Sequence, residues 1–260
     1  MDRREALAIL AAAYESGIRH FDTAPLYCWG ASEDLLGAFA VGKTDLTITT
    51  KAGITPPSRA ARLLSKAPGL PAARPKTAQF KPGQISHSLN TSLSRLRIDR
   101  VGALLLHEPE ASAVTDELAA ELRTLKQSGK TAAIGIATSG RHSAALLARY
   151  PDTFDIVQIP VAELSLLPAH NGLTILHSVL GARLAATVAR LGDADKTAVA
   201  HDLLRAALAQ SRGGIVLYSS TRPDAVETNA WLTPADPALL ARVEEWFAAD
   251  TQFPQQTATS

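Results

Sequence analysis

The sequence is short of several features that mark particular classes of protein. Its 260 residues include one cysteine, Cys28, which excludes an internal disulfide framework and a cysteine-rich zinc site. The formal net charge of +1 provides no long-range field that would favour nucleic acid or an anionic membrane. The first apolar run, Ala6–Ala13, is too short to cross a bilayer. We therefore expect a cytoplasmic protein that acts on a small molecule, with no metal, nucleic-acid or membrane partner.

What the sequence does contain is an alternation of strand-like and helix-like segments. With 46% hydrophobic residues, the chain is long enough to form one domain over residues 1–260. Short apolar or β-branched runs between helical patterns are typical of a parallel sheet with helical crossovers. The predicted strands are Arg19–Ala24, Leu46–Lys51, Val101–His107, Ala132–Thr138, Ile156–Val161, Leu173–Ser178 and Ile215–Ser219. The predicted helices are Arg4–Ser16, Glu33–Ala40, Pro82–Arg95, Asp116–Ser128, Ser143–Tyr150, Thr197–Ser211 and Pro223–Asn229.

Two segments depart from this alternation. Residues 55–81 form a proline-rich stretch that is too long for a tight connection, which predicts a surface loop or a lid. Residues 251–260 are polar and are expected to fray.

Polar residues recur where the predicted strands end. Asp22, Lys51 and His107 each close a buried strand, and Tyr27 follows the first of them by five residues. In a parallel barrel the carboxyl ends of the strands form the face that carries active sites. Each residue alone has an ordinary explanation, as a turn cap, a strand-end charge or a core histidine. Their recurrence favours a proton-transfer site over packing.

Strand periodicity predicts which way these side chains point. Lys51 shares a face with Thr47 and Thr49, whereas Leu46 and Ile48 occupy the other face. By the same alternation, His107 lies on the face of Leu105 and Ala103, and Asp22 lies on the face of His20. All three polar side chains are therefore expected to project into the barrel.

Several local strings closely resemble the signature of the aldo-keto reductase family. The most specific is Gly17–Ala24, followed by Tyr27 and by Trp29-Gly30-Ala31-Ser32-Glu33 with Leu36-Gly37. The likeness continues along nearly the whole chain, in Thr50-Lys51, Ser92–Leu96, Leu105-Leu106-His107, Ser128-Gly129-Lys130 and Ile134-Gly135.

The resemblance implies a TIM-type (β/α)8 barrel that binds NADPH, with NADH as the alternative, and reduces aldehydes or ketones. No G-x-G-x-x-G fingerprint is present, in keeping with a cofactor site that is not a Rossmann fold. Tyr27 would be the general acid, and the ammonium of Lys51 would stabilise its phenolate. Asp22 would provide the counter-charge of Lys51, and His107 would orient the substrate carbonyl.

The implied cofactor contacts match the family less completely. Gln158 takes the position that holds the nicotinamide carboxamide. The Ser-Asn pair of the family reads Ala137-Thr138 here, so Thr138 takes the second position of that pair. His177 replaces the aromatic residue that stacks on the nicotinamide. Arg222 near a helix start suits a ribose phosphate and favours NADPH. Trp29 is expected to line the substrate pocket. The full predicted cofactor set is Thr138, Gln158, His177, Ser178, Ser219, Ser220, Thr221, Arg222 and Asn229.

The main departure from the family is at the start of the chain, which begins in the first helix and lacks the first strand. Seven strands would leave two unpaired sheet edges. The true start could lie upstream, another segment or a partner chain could fill the gap, or the barrel could have a non-catalytic role. A homo-oligomer that covers the open edge is one such arrangement.

Two features of the sequence suggest other functions. Gly37–Thr44 matches the phosphate-loop pattern G-x-x-x-x-G-K-T, but a helix precedes it and a strand follows, which inverts the required order. Gly42 is better explained as a helix C-cap. The second alternative is a cofactor-binding or regulatory protein on a degenerate reductase barrel. Cys28, beside Tyr27, is either a rim thiol or a small hydrophobic filler.

Overall fold

The computed structural model describes residues 1–57, 78–192 and 194–248. Most of the predicted proline-rich loop 55–81 and all of the predicted frayed tail 251–260 lie outside the described residues.

The centre of the fold is a parallel sheet whose seven strands follow one another in chain order. Each predicted strand is present, which confirms the sequence-based assignment in number and position. Short runs of apolar or β-branched residues between helical patterns account for this agreement. The strands are β1 His20–Asp22, β2 Thr47–Ala52, β3 Val101–His107, β4 Thr131–Ala137, β5 Ile156–Pro160, β6 Leu173–His177 and β7 Ile215–Val216.

Helices connect the strands on the outside of the sheet. Several begin at side chains that accept a backbone N–H, notably Asp2 with a capping box to Glu5, and Thr115, Ser139 and Asp195. Two of the described helices, Ala182–Leu191 and Pro237–Ala248, are absent from the predicted set. The described helices are α1 Arg3–Glu15, α2 Ala31–Ala40, α3 Gln84–Leu96, α4 Asp116–Gln127, α5 Gly140–Arg149, α6 Ala182–Leu191, α7 Lys196–Gln210, α8 Pro223–Ala230 and α9 Pro237–Ala248.

Apolar side chains fill two layers, one on each face of the sheet. The outer layer lies between strands and helices and includes Ile48 and Leu104. The inner layer consists of Ala103, Leu105, Ala137, Ile156 and Ile175. This division confirms the predicted alternation along β3, which places the His107 side of the strand inside the barrel.

The sheet does not close on itself. Within the described ranges, no hydrogen-bonded pairing joins β1 to β7, as expected for seven strands. Outside this opening, α1 packs against α8, so the helical layer is continuous where the sheet is not. None of the helices in the described part of the chain is long and apolar enough to cross a membrane.

The phosphate-loop look-alike is a helix ending. Gly42 follows α2 in a left-handed conformation (φ 78°), and the Lys43 ammonium donates to the carbonyl of Phe39 at 2.9 Å. A left-handed glycine and a cation near the negative helix end are both standard terminating features, which confirms the C-cap interpretation.

Candidate active site

The centre of the site is a buried ion pair inside the barrel. Lys51, at the end of β2, is 1% exposed, and its ammonium donates to Asp22 Oδ1 at the end of β1. The same nitrogen donates to the carbonyl oxygen of Thr23 and to the hydroxyl of Tyr27, each at 3.2 Å. Since β1 and β2 are neighbours in the sheet, their parallel pairing brings the two charges together. The Lys51 ammonium therefore makes three hydrogen bonds, all of them within the site.

Tyr27 bridges this buried pair and the surface. Its side chain is 38% exposed, and its hydroxyl is the acceptor of the Lys51 bond. Tyr27 opens a short 3-10 turn, Tyr27–Gly30, that follows β1. Cys28 and Trp29 in this turn have left-handed backbones with φ of 48° and 57°, a costly conformation for residues other than glycine. The Tyr27 hydroxyl is therefore bonded to a buried cation, while the residue itself reaches the surface.

His107 completes the group from the end of β3. Its ring stands at right angles to that of Tyr27, with 5.9 Å between the ring centroids, and it is 7% exposed. Burial, together with the positive charge of Lys51 and the nearby His177, lowers the pKa of His107 to about 4. The imidazole is therefore neutral near pH 7 and keeps one N–H donor.

Asp22 is held differently at its two oxygens. Oδ1 accepts from Lys51, whereas the buried Oδ2 has no hydrogen-bond partner among the described residues. Burial raises the pKa of Asp22, and the Lys51 charge opposes that rise. The structure therefore brings together all four residues that were predicted to carry chemistry.

Three predicted cofactor residues lie near this group. Gln158 shares a row of the sheet with His107, since both pair with Ala137, and its Oε1 is buried without a partner in the described part of the chain. Thr138 donates its hydroxyl to the Pro109 carbonyl at 3.0 Å. Burial and the charge of Lys51 lower the pKa of His177 to about 4. An orphaned amide oxygen beside neutral imidazoles fits a carboxamide ligand.

The remaining predicted residues follow strands β6 and β7 in the chain. Ser178 has a left-handed backbone, with its hydroxyl 2.9 Å from His177 Nδ1. Ser220 Oγ accepts the Arg222 N–H at 3.0 Å and so shapes the turn before α8. Ser219 and Thr221 are exposed beside it, and Asn229 is half-buried near the end of α8.

Arg222 is not a free cation. Its guanidinium is bound by both carboxylate oxygens of Asp224, two residues further along the chain. Sequence reasoning missed this partner, although the Arg-x-Asp spacing at a helix start was a signal that could have shown it. A phosphate at Arg222 would have to compete with this carboxylate.

Two further points concern the rim of the site. Trp29 is half-buried in the turn next to Tyr27. Cys28 is an exposed free thiol, so the hydrophobic-filler interpretation is wrong. Among the described residues, no group of three or more His, Cys, Asp or Glu side chains is arranged to hold a metal ion.

The sequence profile of the Aldo/keto reductase family matches residues 1–167, well over half of the chain. The chain belongs to the aldo/keto reductase family. The matched region includes the four central residues together with Thr138 and Gln158, and it ends before His177 and the Arg222 turn.

Curated relatives are similar to part of this aldo-keto reductase. A D-threo-aldose 1-dehydrogenase from Pseudomonas sp is 36% identical over 150 residues, covering 51% of this chain and 43% of the relative. An L-galactose dehydrogenase from Arabidopsis thaliana is 32% identical over 141 residues, covering 51% and 38%. The matched stretch thus spans less than half of either relative.

Solved aldo-keto reductases share the fold of the whole chain. A glycerol dehydrogenase from Gluconobacter oxydans superposes with a TM-score of 0.74 at 20% identity, covering 99% of this chain and 89% of the other. An aldo-keto reductase from Bacillus halodurans, in its holo form, gives 0.76 at 18% identity, covering 94% and 88%. The curled sheet therefore has the (β/α)8 barrel fold of this family, with seven strands in the described part of the chain.

Proposed function

We propose that this aldo-keto reductase is an NADPH-dependent oxidoreductase that interconverts an aldehyde or ketone and its alcohol, with Tyr27 as the general acid. The observation that carries the proposal is the Tyr27 hydroxyl, which is bonded to a buried ammonium and stands beside the His107 ring. Reduction of a carbonyl needs a proton donor, and a tyrosine hydroxyl beside an ammonium can act as that donor.

Each central residue has a distinct role in this proposal. As Tyr27 gives its proton to the carbonyl oxygen, the phenolate that forms is stabilised by the Lys51 ammonium. Asp22 keeps that ammonium charged away from water. The neutral His107 donates an N–H to the substrate oxygen and so orients and polarises the carbonyl.

The cofactor would supply the hydride, and the chain offers residues suited to hold it. The unpartnered Oε1 of Gln158 can accept from a carboxamide, and Thr138, His177 and Ser178 are proposed for the same end of the cofactor. Ser219, Ser220, Thr221, Arg222 and Asn229 are proposed for the phosphate end, where Arg222 favours NADPH over NADH.

The names of two relatives suggest a substrate class. Both the D-threo-aldose and the L-galactose enzymes are dehydrogenases of sugars. We include small polyhydroxy aldehydes and their cyclic forms among the proposed substrates, with Trp29 lining the pocket. A cytoplasmic location stays a prediction.

A second candidate rests on the open sheet. Asp22 lies on β1, which is an unpaired edge within the described ranges, so the ion pair is placed next to a gap in the barrel wall. A barrel of this kind could bind a nicotinamide cofactor as a regulatory protein without turning over substrate.

Cofactor titration followed by turnover separates the two functions. NADPH and NADH are titrated into the full chain by fluorescence, and NADPH consumption is then followed with simple aldehydes and sugar aldehydes. NADPH-selective binding with turnover supports the oxidoreductase, whereas tight binding without turnover on any carbonyl supports the regulatory alternative. A folded chain that binds neither cofactor contradicts both.

A further inference from the structure

A second buried charged group lies behind the site and is not used by the proposed chemistry. Glu33, in the first turn of α2, is 0% exposed. Its Oε1 accepts from the hydroxyl of Thr50 at 2.8 Å, and its Oε2 accepts from Arg95 Nη1 at 3.1 Å. We refer to Glu33, Thr50 and Arg95 as the Glu33 network. A buried carboxylate costs several kcal/mol unless it is paired, so both contacts are needed.

The first arm of the network reaches the strand that carries Lys51. Thr50 precedes Lys51 in β2, and the alternation of the strand turns Thr50 towards the helices while Lys51 faces the interior. Both residues are fully buried. The Thr50 bond therefore connects the start of α2 to the backbone from which the ammonium projects.

The second arm supports the turn that carries Tyr27. Gly30 ends this turn with φ of 89°, and a Cβ added there would lie 2.8 Å from Arg95 Cζ and Nη1. The backbone at Gly37 is just as close to α3, since a Cβ there would lie 2.5 Å from the Arg95 carbonyl oxygen. The guanidinium is thus held directly beneath the last residue of the turn.

The turn needs such support because its backbone is strained. Left-handed conformations at Cys28 and Trp29 are unfavourable for residues other than glycine and persist only where the surroundings impose them. On the N-terminal side of the turn, the Thr23 carbonyl oxygen accepts from Lys51, and the Thr23 hydroxyl lies 2.9 Å from Ser32 Oγ. The turn is therefore held at both ends.

We propose that Glu33 is a positioning residue: through Thr50 and Arg95 it fixes the strained Tyr27–Gly30 turn relative to Lys51, and so sets the Tyr27–Lys51 contact. This inference rests on the proposed function for its kinetic consequence, but not for its structural one. Glu33 itself touches none of the reacting groups.

Glu33→Gln is the primary variant, because it keeps the shape of the side chain and removes the charge opposite Arg95. Asp155→Asn is the matched control: Asp155 also accepts from a cation, Lys126, and from a backbone N–H, that of Ile134, but on the β4–β5 side of the sheet. Thr50→Val removes one bond of the network and serves if Glu33→Gln does not fold.

The first readout does not depend on turnover. Cys28 is the only cysteine in the sequence and lies exposed in the turn, so its rate of reaction with a thiol reagent reports the turn directly. In folded protein, Glu33→Gln or Thr50→Val should change this rate at least roughly fivefold, and Asp155→Asn by less than about twofold. Folded network variants with the wild-type rate would overturn the proposal, even in a chain that shows no activity.

The second readout is kinetic. Glu33→Gln should lower kcat roughly 10- to 100-fold, as expected for a misplaced acid, and leave the Kd for NADPH within about twofold. In a Tyr27→Phe background the same change should cost almost nothing further, because the group that it positions is gone. An equal loss in both backgrounds, or a kcat that follows only the folded fraction, would contradict a positioning role.

Discussion

At the scale of single residues, the Lys51–Asp22 pair connects stability to the proposed chemistry. Lys51 is almost fully buried, and its ammonium is shared among Asp22, Thr23 and Tyr27. Such a pair adds little stability compared with apolar residues of the same size, but breaking it leaves an uncompensated charge. Its position next to Tyr27 is better explained by reactivity than by packing.

Lys51→Met should therefore destabilise the fold and abolish turnover. Loss of one partner of a buried pair costs about 3–5 kcal/mol in the free energy of unfolding, measured by urea denaturation. Lys51→Met combined with Asp22→Asn should recover much of that stability and none of the turnover. Recovery of turnover in the double variant would mean that the ammonium has no part in the reaction.

His107 predicts how stability depends on pH. Its pKa is lowered from 6.5 to about 4, so between these values the unfolded chain binds a proton that the folded chain does not. Stability should fall as the pH drops from 6.5 towards 4, by up to about 3 kcal/mol for this residue. His107→Gln should flatten the fall, as measured by urea denaturation at a series of pH values. An unchanged slope would mean that the imidazole is not held neutral.

At the scale of elements, the start of α8 carries the residues that are proposed to bind a cofactor phosphate. Ser220 shapes the turn, and Asp224 in the first turn of the helix binds the Arg222 guanidinium. A carboxylate and a phosphate compete for the same cation. This segment therefore contains both Arg222, which would attract a phosphate, and Asp224, which would weaken that attraction.

Two substitutions in this segment should act in opposite directions. Arg222→Ala is expected to weaken NADPH roughly tenfold or more and to change NADH little, because only NADPH carries the 2′-phosphate. Asp224→Ala should tighten NADPH a few-fold and again leave NADH nearly unchanged. Fluorescence titration of both cofactors measures each effect. Equal changes for both cofactors would remove this segment from the phosphate site.

The elements also show what the sequence can and cannot predict. All seven strands were predictable, because each falls within a short run of apolar or β-branched residues between helical patterns, and the inner face followed from alternation, as at Leu105 and His107. Helix α6 was missed since its alanine-rich stretch follows a glycine and carries no capping side chain. Glu33 and Arg95 lie 62 residues apart, and nothing local indicates that they pair.

The roles proposed for the site residues rest on the resemblance. Physical patterning identified Asp22, Lys51 and His107 as polar strand ends, and the family signature supplied the chemistry. The Arg222–Asp224 pair shows the limit of that transfer, since a residue that matches a binding pattern can be neutralised by a neighbour that the pattern does not consider.

At the scale of the whole molecule, the strands of the described ranges leave the barrel wall open between β1 and β7. The central strands β3 and β4 pair along almost their full length, whereas β1 has three residues and β7 has two. Helices α1 and α8 pack together over the gap. Stability should therefore be uneven around the sheet, highest at its centre.

Hydrogen exchange should show this gradient. We expect amides of β3 and β4 to exchange last, near the rate of global unfolding, and those of β1 and β7 to exchange through local opening. Mass spectrometry of exchanged peptides measures these exchange rates, and repeating the measurement at a second protein concentration tests for association. Protection of β1 and β7 that rises with concentration would instead support a homo-oligomer that covers the open edge.

The central claim is that Tyr27 delivers the proton in a nicotinamide-dependent carbonyl reaction, and its most direct test is NADPH consumption by the wild type and by Tyr27→Phe. We predict that both bind NADPH with the same Kd, and that the variant turns over carbonyl substrate roughly 10²- to 10⁴-fold more slowly, as expected for loss of a general acid. Full turnover by Tyr27→Phe would contradict this account.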